Sequence, residues 1–175
     1  MNVSHRAGKL PKNRDEVRAI LDDLVARFKD DWDRPLERWD DRYPDSERRA
    51  PQRGDWEALE SKFGCTFEDT FVWFMELIAD YNLPGTLHVR RDKPSHYLDD
   101  RRIDDVWDHE MSFGGWDPAM IPFNDFSNGD FYCLRTAVDG RSPVWFHDHE
   151  SGSDEKVTDS FAEFLANLEY HINGT

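Results

Sequence analysis

Aromatic rings are abundant enough in this chain to build a core from few residues. Seven Trp, twelve Phe and five Tyr stand in a chain of 175 residues that is only 38% hydrophobic and 34% charged. Each ring can bury about 150–250 Å², so few apolar positions are enough for a core. Disorder goes with a shortage of such residues and is excluded here. A chain of this length favours one domain carrying an extension over two full domains.

The spacing of the apolar residues predicts the elements. Residues 1–12 show no period and read as a tail. From Arg14, the residues Val17, Ile20, Leu21, Leu24, Phe28 and Trp32 recur at steps of three and four, one stripe on a helix. Such a stripe is most simply packed on the rest of the protein, a dimer or partner contact being its other use. Pro35 interrupts the helix, and Leu36 and Trp39 continue its apolar face. Asp40 to Gly54 is charged, contains Pro44 and Pro51, and reads as a linker. These features divide the chain into residues 1–54 (tail, amphipathic helix and linker) and a domain over residues 55–175.

In the second part Asp55 or Gly54 caps a short helix that turns Trp56, Leu59 and Phe63 inward, and Gly64 suits a left-handed terminus. A helix from Glu68 to Asp80 carries Phe67, Phe71, Phe74, Met75 and Ile78 on one face and ends at Asn82-Leu83-Pro84-Gly85. Residues 86–91 read as a short strand and Lys93-Pro94-Ser95 as a turn. A third helix spans about Asp100–Met111, with Ile103, Val106, Trp107 and Met111 on one side. Strand-like stretches follow at 119–123, 130–136 and 143–147, separated by the turn formers 124–129 and the Asp-Gly pair in Val138-Asp139-Gly140-Arg141. Ser151 to Asp154 reads as a loop. Ser160 with Glu163 three residues on is a capping box, opening a helix whose buried face is Phe161, Phe164, Leu165 and Leu168. Helices first, then hairpins, then a helix point to an α+β layer fold.

Four local patterns in order resemble the SUKH superfamily, a group rich in bacterial toxin-immunity proteins. They are Trp56-x-x-Leu59-Glu60-x-x-Phe63-Gly64 leading to Asn82-Leu83-Pro84-Gly85; Met120-Ile121-Pro122-Phe123; Asn128-Gly129-Asp130-Phe131-Tyr132-Cys133-Leu134; and Pro143-Val144-Trp145-Phe146-His147-Asp148-His149-Glu150 followed by Asp159-Ser160-Phe161-x-x-Phe164-Leu165. The resemblance covers about residues 55–170. It implies an α+β domain with a mixed, largely antiparallel sheet packed against helices, preceded here by an N-terminal helical extension. It also implies a role in binding and blocking a toxin, with no catalytic residue to carry over. One departure is Glu68, which follows Phe67 where the family often has Leu-Pro ahead of the second helix.

Charge narrows the partners. The formal net charge is −15, and it is lopsided: residues 1–54 hold 13 Lys/Arg and 12 Asp/Glu, whereas residues 55–175 hold 9 and 25, a net of −16. A chain this negative is repelled by nucleic acid and by anionic membrane surfaces. The longest apolar run, Phe71 to Met75, is far short of the roughly 20 residues of a membrane span. No secretory signal pattern opens the chain, and Cys65 and Cys133 read as small core residues, so a cytoplasmic location is expected.

The sharpest chemical pattern is His147-Asp148-His149-Glu150. Residues two apart on a strand share a face, so His147 and His149 could reach one metal ion, but zinc catalysis needs a third ligand, for which His88, His96, His109 and Glu150 are candidates. The sequence places none of them, so no metal and no cofactor is expected. The carboxylate pairs Asp99-Asp100, Asp104-Asp105 and Asp154-Glu155 read as solvated surface. No phosphate loop or nucleophile elbow is present, and an enzyme is not expected.

A net of −16 exceeds the magnitude of about 2–8 that solubility asks of a small domain, and a cationic partner would offset the self-repulsion. The expected partner is a cognate protein toxin with a basic surface, such as a nuclease. Candidate anchors are Trp116, Phe126 and Trp145, of which Trp145 is more simply core. The candidate acidic rim is Asp117, Asp125, Asp130, Asp148 and Glu150. The alternatives are a regulatory or scaffolding SUKH-like binding protein without a toxin, and a metal-dependent hydrolase built on His147 and His149. The oligomeric state is left open by these patterns.

Overall fold

A computed structural model describes residues 9–28, 37–38, 50–83, 85–89, 102–136 and 141–173. The helices are α1 (Arg14–Phe28), α2 (Arg53–Phe63), α3 (Asp69–Ile78), α4 (Ile103–Phe113), α5 (Phe161–Ala166) and α6 (Leu168–Asn173). The strands are β1 (Glu37–Arg38), β2 (Tyr81–Asn82), β3 (Met120–Asp125), β4 (Phe131–Arg135), β5 (Val144–Asp148) and β6 (Ser153–Thr158). The expected positions of Trp32, Pro35, Leu36 and Trp39, most of the linker, the 93–95 turn, His96, the Asp99-Asp100 pair and the Asp139-Gly140 hairpin lie outside the described residues.

The architecture is α+β. Strands β3, β4, β5 and β6 form one antiparallel sheet in that order, and β1 pairs antiparallel with β2. Among the described residues the one parallel pairing is an isolated bridge, His88 to Arg102. The stretch expected as a strand at 86–91 makes bridges in place of a ladder: Thr86 pairs with Asn124, and the Leu87 N–H donates to the Phe123 carbonyl at 2.9 Å. Gly85 makes this approach possible. Its φ is +75°, and a Cβ there would lie 2.4 Å from the Asp125 carbonyl oxygen, a distance no side chain tolerates.

The sequence reading of 151–154 as a loop needs correction, because a strand begins at Ser153. Its sequence, Ser-Asp-Glu-Lys-Val-Thr, is exposed over its first four residues. Backbone pairing with β5 holds it, and no apolar alternation announces it.

One face of the sheet, carrying Tyr132, Leu134, Val144 and Phe146, turns toward α3 and α5. Here the aromatic rings do what their abundance requires. Phe71 meets Phe161 at 5.0 Å and Phe123 at 5.9 Å; Phe123 meets Phe164 at 5.5 Å, and Phe164 meets Tyr132 at 5.1 Å. Edge-to-face pairs of this kind add about 0.5–1.5 kcal/mol each beyond their burial. Helix α1 shares that core, with Val17, Leu21 and Leu24 almost wholly buried and the Tyr81 hydroxyl bonded to Asp22 at 2.7 Å. On α2 the cap is Gln52, not Gly54 or Asp55. Asp55 acts from the first turn, accepting the Gln52 N–H at 2.9 Å. Gly64 closes α2 in the left-handed region, at φ 65°. Cys133 is a core residue and Cys65 is partly buried, both as free thiols; burial pushes the Cys65 thiol up to about 11.

Candidate partner-binding surface

The candidate residues gather around the sheet, but not as one patch. The β3–β4 loop and the β5–β6 turn lie at the same end, since Phe131 opposes His147 in the ladder. Into this end come Asp130, Asp148 and His149, whose ligand-type atoms all lie within 4.8 Å of one another. The Asp130 Oδ1 accepts both the backbone N–H of His149 at 3.0 Å and its ring Nδ1 at 2.8 Å, while Oδ2 takes the Asn128 side-chain amide at 2.8 Å. Asp148 Oδ1 accepts the N–H groups of Glu150 and Ser151 at 2.8 and 3.2 Å, closing the turn. Gly129 is needed at φ +99°, because a Cβ there would lie 2.9 Å from the His149 ring.

These bonds set the charges. The Asp130 hydrogen bond holds the His149 imidazole above its ordinary pKa. Partial burial raises Asp130, but the combined bonds from His149 and Asn128 outweigh it and its carboxyl lies below the usual range. Asp148 is lowered by the Ser151 bonds. Glu150 is exposed on the turn itself.

Asp125 does not lie on an acidic rim. It is 3% exposed, and its Oδ1 accepts the Ser127 N–H at 2.6 Å, which supports Ser127 at a positive φ of 63°. Trp116 and Phe126 sit on opposite faces of the sheet. Trp116 packs against Phe131 at 5.7 Å and His147 at 4.8 Å, with its indole N–H on the Met120 carbonyl at 3.0 Å. Phe126 packs against Tyr132 at 5.2 Å and Phe146 at 5.9 Å. Asp117 belongs to the other end of β4, paired with Arg135 at 2.8 Å, whose guanidinium covers the Trp145 ring at 5.0 Å.

His147 and His149 hold different carboxylates. His147 Nδ1 meets Asp154 Oδ1 at 2.8 Å, whereas His149 meets Asp130. The cluster that could offer a cation three ligand atoms therefore contains His149 without His147, and its carboxylates are already engaged by backbone donors. Among the candidate third ligands, His109 lies on α4, edge-on against the Phe113 ring at 4.8 Å. Arg135 was not singled out from sequence, and Asp154 was read there only as solvated surface with Glu155, because their roles depend on the strand register.

The acidic, well-bonded turn end thus stands beside the partly buried Trp116 in an α+β domain. The chain belongs to the SUKH_5 family, SMI1-KNR4 cell-wall, which matches residues 23–170. The match begins within α1, the helix whose stripe enters the common core. No curated protein matches the chain. Among the described residues no helix is long and apolar enough to cross a membrane.

Proposed function

We propose that this protein is an immunity-type binding protein that neutralises a cognate toxin domain by stoichiometric occlusion, acting in the cytoplasm and without catalysis. The observation that carries this reading is the net charge of −16 on residues 55–175 in a SUKH family member. The toxin would present a basic surface, as a nuclease must, and the acidic turn end around Asp130, Asp148 and Glu150 would steer the encounter. Electrostatic steering can raise association to about 10⁸–10⁹ M⁻¹s⁻¹ at low salt, while desolvated aromatic anchors such as Trp116 slow dissociation.

The test is co-expression with any secreted protein's basic C-terminal domain that a neighbouring reading frame encodes, together with association kinetics across ionic strength. Rescue of growth and an association rate that falls steeply with salt support the reading. Absence of rescue, or an association rate insensitive to salt, overturns it.

A second reading, a regulatory SUKH-like binding protein without a toxin, is favoured by the cell-wall description of the matched family. Its partner surface would not be the apolar stripe of α1, which is spent on the core. Retention of the same host protein by the purified chain when the toxin gene is deleted distinguishes it.

A further inference from the structure

The outer edge of β6 carries backbone groups free of the core, although its Val157 side chain packs partly against that core and its Asp154 meets His147. In the sheet order β6 has β5 as its one neighbour. Successive residues of a strand direct their peptide groups to opposite edges, so about half of the peptide groups of β6 face away from β5. At roughly 3.4 Å per residue the edge is about 20 Å long. On the opposite margin such groups are taken: the Leu87 N–H bonds to Phe123 and the Asp125 N–H donates to the Gly85 carbonyl at 2.7 Å. Along β6 no such covering segment is present among the described residues.

Beside this edge lies a cavity of about 510 Å³, lined by Leu10 and Val157, by the polar Thr158 and Asn167, and by the charged Lys156, Asp159 and Glu163. Leu10 is 44% exposed at its rim. Glu150, Asp154, Glu155, Asp159 and Glu163 follow one another from the turn to the cavity, against Lys156 alone in that stretch. Lys156 is engaged by Asp159, an exposed pair that exchanges partners at little cost.

These acids decide which strand the edge can accept. A second copy pairing edge to edge about Glu155 would set that carboxylate against its own copy, which is destabilising, while Asp154 would face Lys156; charged side chains on an edge are a known guard against self-association. A strand bearing Lys or Arg meets the opposite situation. We propose that the β6 edge accepts an added strand, and that its occupant is an extended basic segment of the partner protein, held by main-chain hydrogen bonds with its apolar side chains against Leu10 and Val157. This inference rests on the binding function proposed above and locates where the partner is gripped.

The probe is a synthetic six-residue peptide alternating lysine and valine, added to the full-length isotope-labelled protein and followed by amide shifts and hydrogen exchange. A glutamate–valine peptide and a lysine–valine peptide N-methylated at every residue serve as controls. The expected result is shift changes and slowed exchange confined to residues 153–158 and the adjoining 163–167, no response to the glutamate peptide, and at least about tenfold weaker binding after N-methylation. The double variant Glu155→Lys with Asp159→Lys, both exposed positions, weakens the lysine peptide while leaving the rest of the amide spectrum unchanged. No binding of the lysine peptide at millimolar concentration overturns the proposal, as does binding that survives N-methylation or is centred on residues 126–130. If the edge fails while the toxin is still neutralised, only this inference falls. If the peptide binds as expected while no rescue from the toxin occurs, only the immunity reading falls.

Discussion

The Glu68 carboxylate caps a helix that begins 93 residues later at Phe161. It accepts the N–H of Phe161 at 3.3 Å and of Ala162 at 3.2 Å, and also that of Ser142 at 3.2 Å. Ser160 Oγ accepts the next donor, the Glu163 N–H, at 3.2 Å. The first three N–H groups of α5, which have no partner within a helix, are therefore all satisfied. The residue that departs from the family's usual Leu-Pro is the one that ties the start of α3 to the closing helix.

Replacing Glu68 by Ala leaves three backbone donors without this acceptor. Because a partly buried donor left unpaired costs about 1–3 kcal/mol, the Glu68→Ala variant is expected to lose roughly 2–4 kcal/mol, measured by urea denaturation. Glu68→Gln keeps one acceptor oxygen and should lose about half as much. Equal stability of all three proteins would refute this account of the contact.

The His149–Asp130 pair makes stability depend on pH on the neutral side. The pKa of His149 is raised above its ordinary 6.5 by Asp130, so the folded state holds the proton more tightly than the unfolded one. This contribution is fully present below about 6.5 and is lost as pH rises through the folded value. Melting temperature measured from pH 6 to 9 should decline in the native protein and decline less in Asp130→Asn.

His171 acts in the opposite direction. It is 7% exposed, stacked on Phe164 with ring centroids 4.5 Å apart, and burial lowers its pKa to about 4. The unfolded state binds the proton first, so stability falls as pH drops from about 6.5 toward 4. His171→Phe preserves the stack and removes the titration. Its melting temperature should fall less than that of the native protein between pH 7 and 5.

Two acids proposed together for the rim should behave differently when changed. Glu150 is exposed, whereas Asp125 is buried and supports the Ser127 turn. Glu150→Lys is expected to leave the melting temperature within a degree or two and to slow association with the toxin roughly two- to fivefold at low salt. Asp125→Ala is expected to destabilise the fold by about 1–3 kcal/mol. Kinetic and thermal measurements on the same two variants separate the outcomes.

Much was legible locally. The stripe from Val17 to Phe28, the faces of Trp56–Leu59 and Phe71–Ile78, the left-handed Gly64 and the Ser160 cap were readable because each depends on residues three or four positions apart. The order of helices and hairpins was enough for an α+β class, and the ordered motifs for the SUKH resemblance. The strand β6 was not legible, because its polar side chains carry no apolar alternation and its pairing partner is β5. The same holds for the candidate surface: Asp130 with His149, His147 with Asp154, and Asp117 with Arg135 are pairs made by strand register.

By itself, then, the order of residues determined which segments coil, which apolar segments extend, that aromatic rings contribute heavily to the core, and that the later two thirds carry the negative charge. Only the tertiary structure decided that Asp125 is buried while Glu150 is exposed, that His147 and His149 part company, and that Glu68 serves a distant helix. The physical reason is range. Periodicity and capping act within a turn or two of the chain, whereas hydrogen-bond partners and burial are assigned when sheet register and helix packing bring remote segments together.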